Sequence, residues 1–348
     1  MRAWIDKCAY LSRRGGRWLE STAPNEVRRI LVIRQCAFGD YMAARPFLVE
    51  LRRLFPEAHI TLATVTTYRY AVPEDLVDEV FVQETRGSLA EQWRSLRALE
   101  PVDILFDLAD TSRSRVLTLM APAAIKLGFP YRGVFNRLLY DVGLRRSNYH
   151  YEAEVLLDFL KVMGHKPRYP LDFAMPVHRQ AESPRVIAYF PFASKAEKSL
   201  SLDSWCQLID RAAREFPDYH HVLLEGHKAE ESGDFLAEVA ARQANVEVQP
   251  RMSLEALGPW MAGVSALVCG DTGVRNLALA THTPTLGIFF QTLPYRYWPR
   301  YEDLHEAVFL RSGEVPGSTD ILQGLEELLV RVYPERGAPR QSVSDASS

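Results

Sequence analysis

Cysteine is scarce in this chain. Its 348 residues hold four, Cys8, Cys36, Cys206 and Cys269, far apart and with no C-x-x-C pair. That spacing argues against a structural zinc site and a disulfide framework, and it fits a reducing compartment. No apolar run reaches the ~18 residues that a membrane-spanning helix needs. The N-terminus lacks the apolar core of a secretory signal, so the expected location is the cytoplasm. D-x-D, H-E-x-x-H and G-x-S-x-G are all absent, and the loop after the first strand is not G-x-G-x-x-G. These absences disfavour a carboxylate-held metal, zinc-protease chemistry, a nucleophile elbow and a dinucleotide fingerprint. An excess of one charge is missing too. The net charge is −3, from 41 Lys and Arg against 44 Asp and Glu, which points away from a nucleic-acid partner.

What is present is enough apolar material for large cores. Hydrophobic residues make up 47% of the chain, and the length suggests two domains. The most informative stretch runs from Ser265 to Phe290, SALVCGDTGVRNLALATHTPTLGIFF. An apolar run, Ala266 to Cys269, reads as a buried strand. The turn Gly270-Asp271-Thr272-Gly273 follows, then a helix to Ala280 and a second apolar run from Thr285. This is a strand–turn–helix–strand unit of a parallel sheet. Asp271 and Thr272 suit a helix N-cap, and Gly273 lets backbone approach a ligand closely. Free N–H groups and a positive dipole end suit a phosphate. A capped helix with no ligand is the plainer alternative.

The same alternation runs along the chain. Residues 1–27 form a basic amphipathic leader, with Arg2, Lys7, Arg13, Arg14 and Arg17 among Trp4, Tyr10 and Trp18. Two readings stand for it: a helix lying on an anionic membrane surface, or a helix packed on the domain or a disordered leader. A first α/β domain is expected over 28–166. It opens with a strand at Arg29–Arg34, a turn through Gly39 and Asp40, and a helix from Tyr41 to Leu54. Further strands are expected at Ile60–Ala63, Glu79–Val82, Asp103–Asp107 and Ala124–Gly128, and helices at Ser88–Leu99, Ser114–Met120 and Glu152–Met163. A proline-rich linker covers 167–184. The second domain, 185–318, has strands at Arg185–Tyr189, His221–Leu224, Val246–Val248, Ala266–Cys269 and Thr285–Phe289. Its helices are expected at Leu202–Glu215, Glu231–Gln243, Ser253–Ala262 and Thr272–Ala280. A last helix spans 319–333, and the tail 334–348 reads as disordered. Ligands of such sheets sit beyond the carboxyl ends of the strands, which places Asp40 in one domain and the Asp271 turn in the other, facing a cleft.

The candidate side chains each carry two readings. Asp40 opens a helix after a strand, either as a cap or as a base that takes a proton from a bound hydroxyl. Lys198, in Ser194–Lys198, offers a point charge for a phosphate with help from the Ser194 hydroxyl; otherwise it is solvated. Glu230 stands where nucleotide folds bind ribose, or it begins a helix, where acids are favoured. Met252 lines an adenine pocket or simply packs. No metal is required if Lys198 and the helix start neutralise the phosphates.

Together these stretches resemble glycosyltransferase family 9, the ADP-heptose:lipopolysaccharide heptosyltransferases. The resemblance runs from about Arg29 to Val332. It rests on ILVIRQCAFGDYMAARPFLVELRRLFPEAHI, PFASKAEKSLSLDSW, LLEGHKAEE and the long stretch from Gln249 through Phe290. It implies the GT-B fold, two Rossmann-like domains with the acceptor domain first, and a final helix that crosses back. It implies Asp40 as catalytic base, Lys198 on the donor phosphates, Glu230 on the ribose and Met252 against adenine. Asp271, Thr272 and Gly273 match the D-T-G turn around the pyrophosphate and sugar, and Arg113 falls where the family meets an anionic acceptor. The implied reaction is inverting, metal-independent transfer of heptose from ADP-heptose to a glycolipid acceptor, the lipopolysaccharide core, at the cytoplasmic face of the inner membrane. No cofactor is expected. Four positions depart from the pattern: Asn276 replaces a histidine, Phe290-Gln291-Thr292 replaces G-P-T, Leu200-Ser201 replaces W-P, and Ala109 replaces a glutamine. They keep two alternatives open: a diverged member with another nucleotide sugar or a non-lipid acceptor, and an inactive nucleotide-sugar-binding protein.

Overall fold

The computed structural model describes residues 9–83, 99–130, 138–179, 184–193, 195–228 and 231–336. The expected helix at Ser88–Leu99 and the tail beyond Arg336 lie outside the described residues, apart from Leu99. The chain divides into two compact units, Met1–Ala174 and Met175–Ser348.

The first unit contains strands β1 (Tyr10–Leu11), β2 (Arg29–Ile33), β3 (His59–Val65), β4 (Glu79–Gln83), β5 (Val102–Asp107), β6 (Ala123–Gly128) and β7 (Val142–Gly143). They form one sheet in the order β1-β7-β6-β5-β2-β3-β4. Only the β1–β7 pair is antiparallel; the other pairings are parallel. Without β1 this is the 3-2-1-4-5-6 order of a doubly wound nucleotide fold, with its switch point between β2 and β5. The strands are buried on both faces, which is why they read as continuous apolar runs. On one face, helices α2 (Phe38–Leu54) and α4 (Glu152–Val162) pack together. Phe106 of β5 lies edge-on to Phe47 at 5.2 Å and to Phe159 at 6.1 Å. On the other face, Leu117 of α3 (Ser112–Met120) packs on Leu31, Ile33 and Leu105.

Residues 9–27 are built into this unit rather than standing apart. Tyr10 pairs with Gly143 and its hydroxyl donates to Tyr140 O at 2.9 Å. Helix α1 (Arg13–Ser21) is capped by Ser12, whose Oγ accepts from Gly15 N at 2.9 Å. A Cβ on Gly15 would stand 3.0 Å from Asp141 O, so glycine is what lets α1 approach β7. Arg14 donates to Ala124 O at 2.7 Å. Arg13, Arg14 and Arg17 remain exposed.

The first half of the expected linker also belongs to the first unit. Arg45 donates to Phe173 O at 2.6 Å and Ala174 O at 2.9 Å. Arg53 meets Asp172 at 2.6 Å, and the buried Glu50 accepts from Arg168 N. Leu171 and Phe173 are buried. Prolines here shape a strap across α2, not a free spacer.

The second unit contains β8 (Val186–Phe190), β9 (His220–Leu224), β10 (Val246–Gln249), β11 (Ala266–Cys269), β12 (Thr285–Ile288) and β13 (His305–Val308). All pairings are parallel, in the order β10-β9-β8-β11-β12-β13. This is again the 3-2-1-4-5-6 order, with the switch point between β8 and β11. Its helices are α5 (Leu202–Glu215), α6 (Asp234–Ala240), α7 (Leu254–Ala262), α8 (Gly273–Ala280) and α9 (Ser318–Val332). Helix α6 starts three residues later than its acids suggest, because Gly233 takes a φ of 104° that no helix continues. The apolar face of α9 (Ile321, Leu325, Leu328) is taken up within this unit, against α5 and β13. Trp205 is the largest side chain of that core.

Candidate functional site

In the second unit the switch point gathers two of the expected residues. The loop after β8 ends in a 3₁₀ turn at Ala196–Lys198. Ser199 holds it: its hydroxyl donates to Pro191 O at 2.7 Å and accepts from Trp205 Nε1 at 3.2 Å. The loop after β11 carries Asp271. Lys198 Nζ reaches Asp271 Oδ2 at 2.7 Å, with both side chains mostly covered. A Cβ on Gly270 would stand 3.1 Å from Lys198 O, so glycine is what allows these loops to close on each other.

Helix α8 starts at that point. Thr272 is its N-cap and accepts from Val274 N at 3.2 Å; Gly273 is its first residue. Asn276 is buried at the end of the first turn. The site is therefore one cation, one carboxylate and a capped helix start at the end of two adjacent parallel strands, an arrangement suited to an anionic ligand.

Nearby strand ends carry the rest. Met252 is half-buried and precedes Ser253, the N-cap of α7, whose Oγ accepts from Ala256 N at 3.3 Å. Glu225 ties the ends of β9 and β10 together by accepting from Arg251 N at 3.1 Å. Ser194 and Glu230 lie outside the described residues. The neighbouring Glu231 does not begin α6. Gly226 N donates to Glu231 O at 2.7 Å, and Lys228 Nζ lies 3.2 Å from Glu231 Oε1.

In the first unit, Asp40 sits at the carboxyl end of β2, but not as a cap. Helix α2 starts three residues earlier than the sequence suggests, at Phe38, with Ala37 as its N-cap. Asp40 lies in the first turn, where an acid is favoured. Its carboxylate is 39% exposed and stands 3.8 Å from Nη2 of Arg34, which is 2% exposed. Arg34 is held by Leu108 O at 2.6 Å and by Glu152 at 3.2 Å; Glu152, 1% exposed, also pairs with Arg146. Burial pushes the neighbouring Cys36 thiol up to about 12, so it is neutral and no nucleophile near neutral pH. Cys269, under the other switch point, is likewise pushed up to about 12 by burial.

Arg113 is exposed as the second residue of α3. The loop presenting it is held by buried hydrogen bonds. Buried Asp107 accepts from Tyr140 OH at 2.7 Å, Ser114 Oγ at 3.0 Å and Ala109 N at 3.1 Å. Burial raises this carboxyl against those bonds. Thr111 Oγ1 donates to Gln35, whose Nε2 donates to Gln83 at 2.6 Å. Gln35, Gln83, Arg34 and Glu152 escape sequence reading because their partners lie tens of residues away.

Among the described residues, no group of three His, Cys, Asp or Glu side chains is placed to hold a metal ion. No helix among them is long and apolar enough to cross a membrane.

Two α/β units of this strand order define the GT-B fold, shared with solved heptosyltransferases. The chain belongs to glycosyltransferase family 9 (heptosyltransferase), whose family model matches residues 90–318. It is 23% identical over 292 residues to lipopolysaccharide heptosyltransferase 1 of Salmonella typhimurium, covering 76% of this chain and 89% of that protein. Among solved structures it is similar to the E. coli heptosyltransferase WaaC with ADP-2-deoxy-2-fluoro heptose, at a TM-score of 0.68 and 19% identity over 86% of this chain and 99% of that one. E. coli ADP-heptose lps heptosyltransferase II is similar at a TM-score of 0.62 and 20% identity, over 87% and 99% of the two chains.

Proposed function

We propose that this chain transfers a heptose from ADP-heptose to a sugar hydroxyl of a lipopolysaccharide core acceptor, with inversion and without a metal ion. The observation that carries the reading is the Lys198–Asp271 pair at 2.7 Å beside the start of α8. The ammonium and the helix N–H groups neutralise the diphosphate, a role that in other transferases falls to a cation. Asp271, Thr272, Gly273 and Asn276 bound the pyrophosphate and sugar, with Ser194 beside Lys198. Met252 lies against adenine and Glu230 binds the ribose. The relative from Salmonella is named for lipopolysaccharide, and the WaaC structure holds an ADP-heptose analogue.

The step needs one proton acceptor. Asp40 takes the proton of the acceptor hydroxyl as its oxygen bonds to the anomeric carbon. The bond from that carbon to the diphosphate oxygen breaks, and ADP leaves with the electron pair. Attack opposite the leaving group inverts the anomeric centre. Arg113 meets an anionic group of the acceptor, and Arg13 and Arg17 hold the protein on the inner-membrane surface that carries it.

The test is a panel of nucleotide sugars with and without EDTA, read by ADP release and by the anomeric configuration of the product. ADP-heptose should turn over best, undiminished by EDTA, with inversion. Asn276 and the Phe290–Thr292 segment favour a second reading, a different sugar on the same site. A larger kcat/KM with another nucleotide sugar would establish that one instead.

A further inference from the structure

Arg275 is the third residue of α8 and only 1% exposed. A buried guanidinium is costly unless its surroundings hold it, and three contacts fix it on the β12 side. Its Nη1 donates to Tyr297 O. Its Cζ lies 5.2 Å from the centre of the Phe289 ring. Its flank rests on Gly287 of β12, where a Cβ would stand 2.7 Å from Nε and 3.1 Å from Cζ. A glycine is required there because the Phe289 ring, 2.5 Å from that Cβ, and the arginine together fill the space. Arg275 therefore joins the helix that begins at the Asp271 turn to the segment that leaves β12, residues 290–297.

Strand order says which part of a ligand this segment meets. From the switch point, Met252 and the β9–β10 ends lie on one side, and β12 lies on the other, next to β11. A nucleotide sugar whose diphosphate sits at Lys198 and Asp271, with its base toward Met252, must send its sugar toward β12. There Gln291 and Leu293 are exposed and Thr292 is half-buried, while Pro294 is buried. We propose that Arg275 is a positioning residue. By tying Tyr297, at the end of the segment that leaves β12, to the helix that follows the Asp271–Gly273 turn, it sets which sugar the site accepts while leaving the nucleotide half alone. This rests on the donor lying at that turn.

The experiment uses full-length parent protein, Arg275→Met, Arg275→Lys and Gly287→Ala. The last crowds the Phe289 ring and the guanidinium together without removing the charge. ADP affinity is measured by calorimetry, melting temperature by calorimetric scan, and KM and kcat for ADP-heptose and ADP-glucose by ADP release. The parent alone tests the donor reading: failure to bind ADP would overturn that reading, and the inference with it. Given ADP binding, Arg275→Met and Gly287→Ala should keep ADP affinity within about twofold. Their KM for the preferred sugar should rise, and their preference between the two sugars should fall about tenfold or more, the usual worth of a pocket contact. Arg275→Lys should recover part of that preference. Unchanged discrimination in folded variants overturns the proposal. So does a loss of ADP affinity that tracks the loss of melting temperature, which would mark Arg275 as structural only. If Arg275→Met does not fold, Gly287→Ala and Arg275→Lys give the same decision.

Discussion

Lys198 and Asp271 lie 73 positions apart in sequence and 2.7 Å apart in space, each in the loop that follows its own strand on either side of a switch point. The carboxylate occupies the ammonium that a diphosphate would claim. On the proposed reading, an incoming diphosphate exchanges one charged partner of Lys198 for another, rather than meeting a bare cation.

Removing the ammonium removes that exchange. Lys198→Ala should weaken ADP binding by about 1–3 kcal/mol, the scale of a lost charged hydrogen bond. Calorimetry with and without EDTA reads it. Equal affinity in parent and variant would relocate the phosphate site.

The Asp40 carboxylate lies within the first turn of α2 and caps nothing through its side chain among the bonds described. Asp40→Asn keeps the shape and removes the proposed proton acceptor. We expect ADP affinity near that of the parent, with transfer lower by about 10²–10⁴-fold. Turnover within a few-fold of the parent would place the base elsewhere.

Glu152 is 1% exposed and shared by Arg34 and Arg146. Truncating it leaves cations without their common partner, which costs more than the ion pair itself contributes. Glu152→Ala should lower unfolding free energy by roughly 3–5 kcal/mol in urea titration. A loss under about 1 kcal/mol, an exposed pair's worth, would show that water reaches the network.

Acid sensitivity should come from buried histidine. Burial lowers His221 to about 4; its Nε2–H donates to Phe216 O and its Nδ1 accepts from Tyr189 OH. The unfolded chain takes up this proton near pH 6.5 and the folded chain only near pH 4. Stability is therefore full above pH 6.5 and falls as the pH drops toward 4, by up to roughly 3 kcal/mol. His305, lowered to about 4 by burial against its bond to Glu302, adds in the same direction. Urea midpoints from pH 7.5 to 4.5 should follow this slope, and His221→Gln should flatten it. An equal slope in that variant would assign the effect to other groups.

Membrane contact calls for charge reversal rather than truncation, since residues 9–27 supply β1 and α1. Arg13→Glu with Arg17→Glu should weaken sedimentation with phosphatidylglycerol-containing liposomes at low salt. It should leave the zwitterionic control unchanged. Parent protein that does not sediment would end this reading.

Much of the frame is legible in the sequence because parallel strands buried on both faces leave short apolar runs between helical periods. Ala266–Cys269 and its turn are the clearest case. Two-residue strands such as β1 and β7 leave no such trace, and β13 is masked by His305 and Glu306. Lys198 and Asp271 are each readable as strand-end residues, yet nothing local shows that they touch. The Arg34–Glu152 pair spans 118 positions, beyond the reach of any periodicity. Gly233 displaces the start of α6 through a backbone angle that composition does not reveal.

The strap over α2 dictates where this chain can be spliced to a relative. A graft junction at residue 166, where the prolines invite it, would leave Arg45 and Arg53 facing a foreign segment that lacks the acceptors at Phe173, Ala174 and Asp172. A junction after Ala174 carries the strap with the sheet it belongs to. The second unit can then be exchanged for that of a relative, with every described anchor of α2 intact.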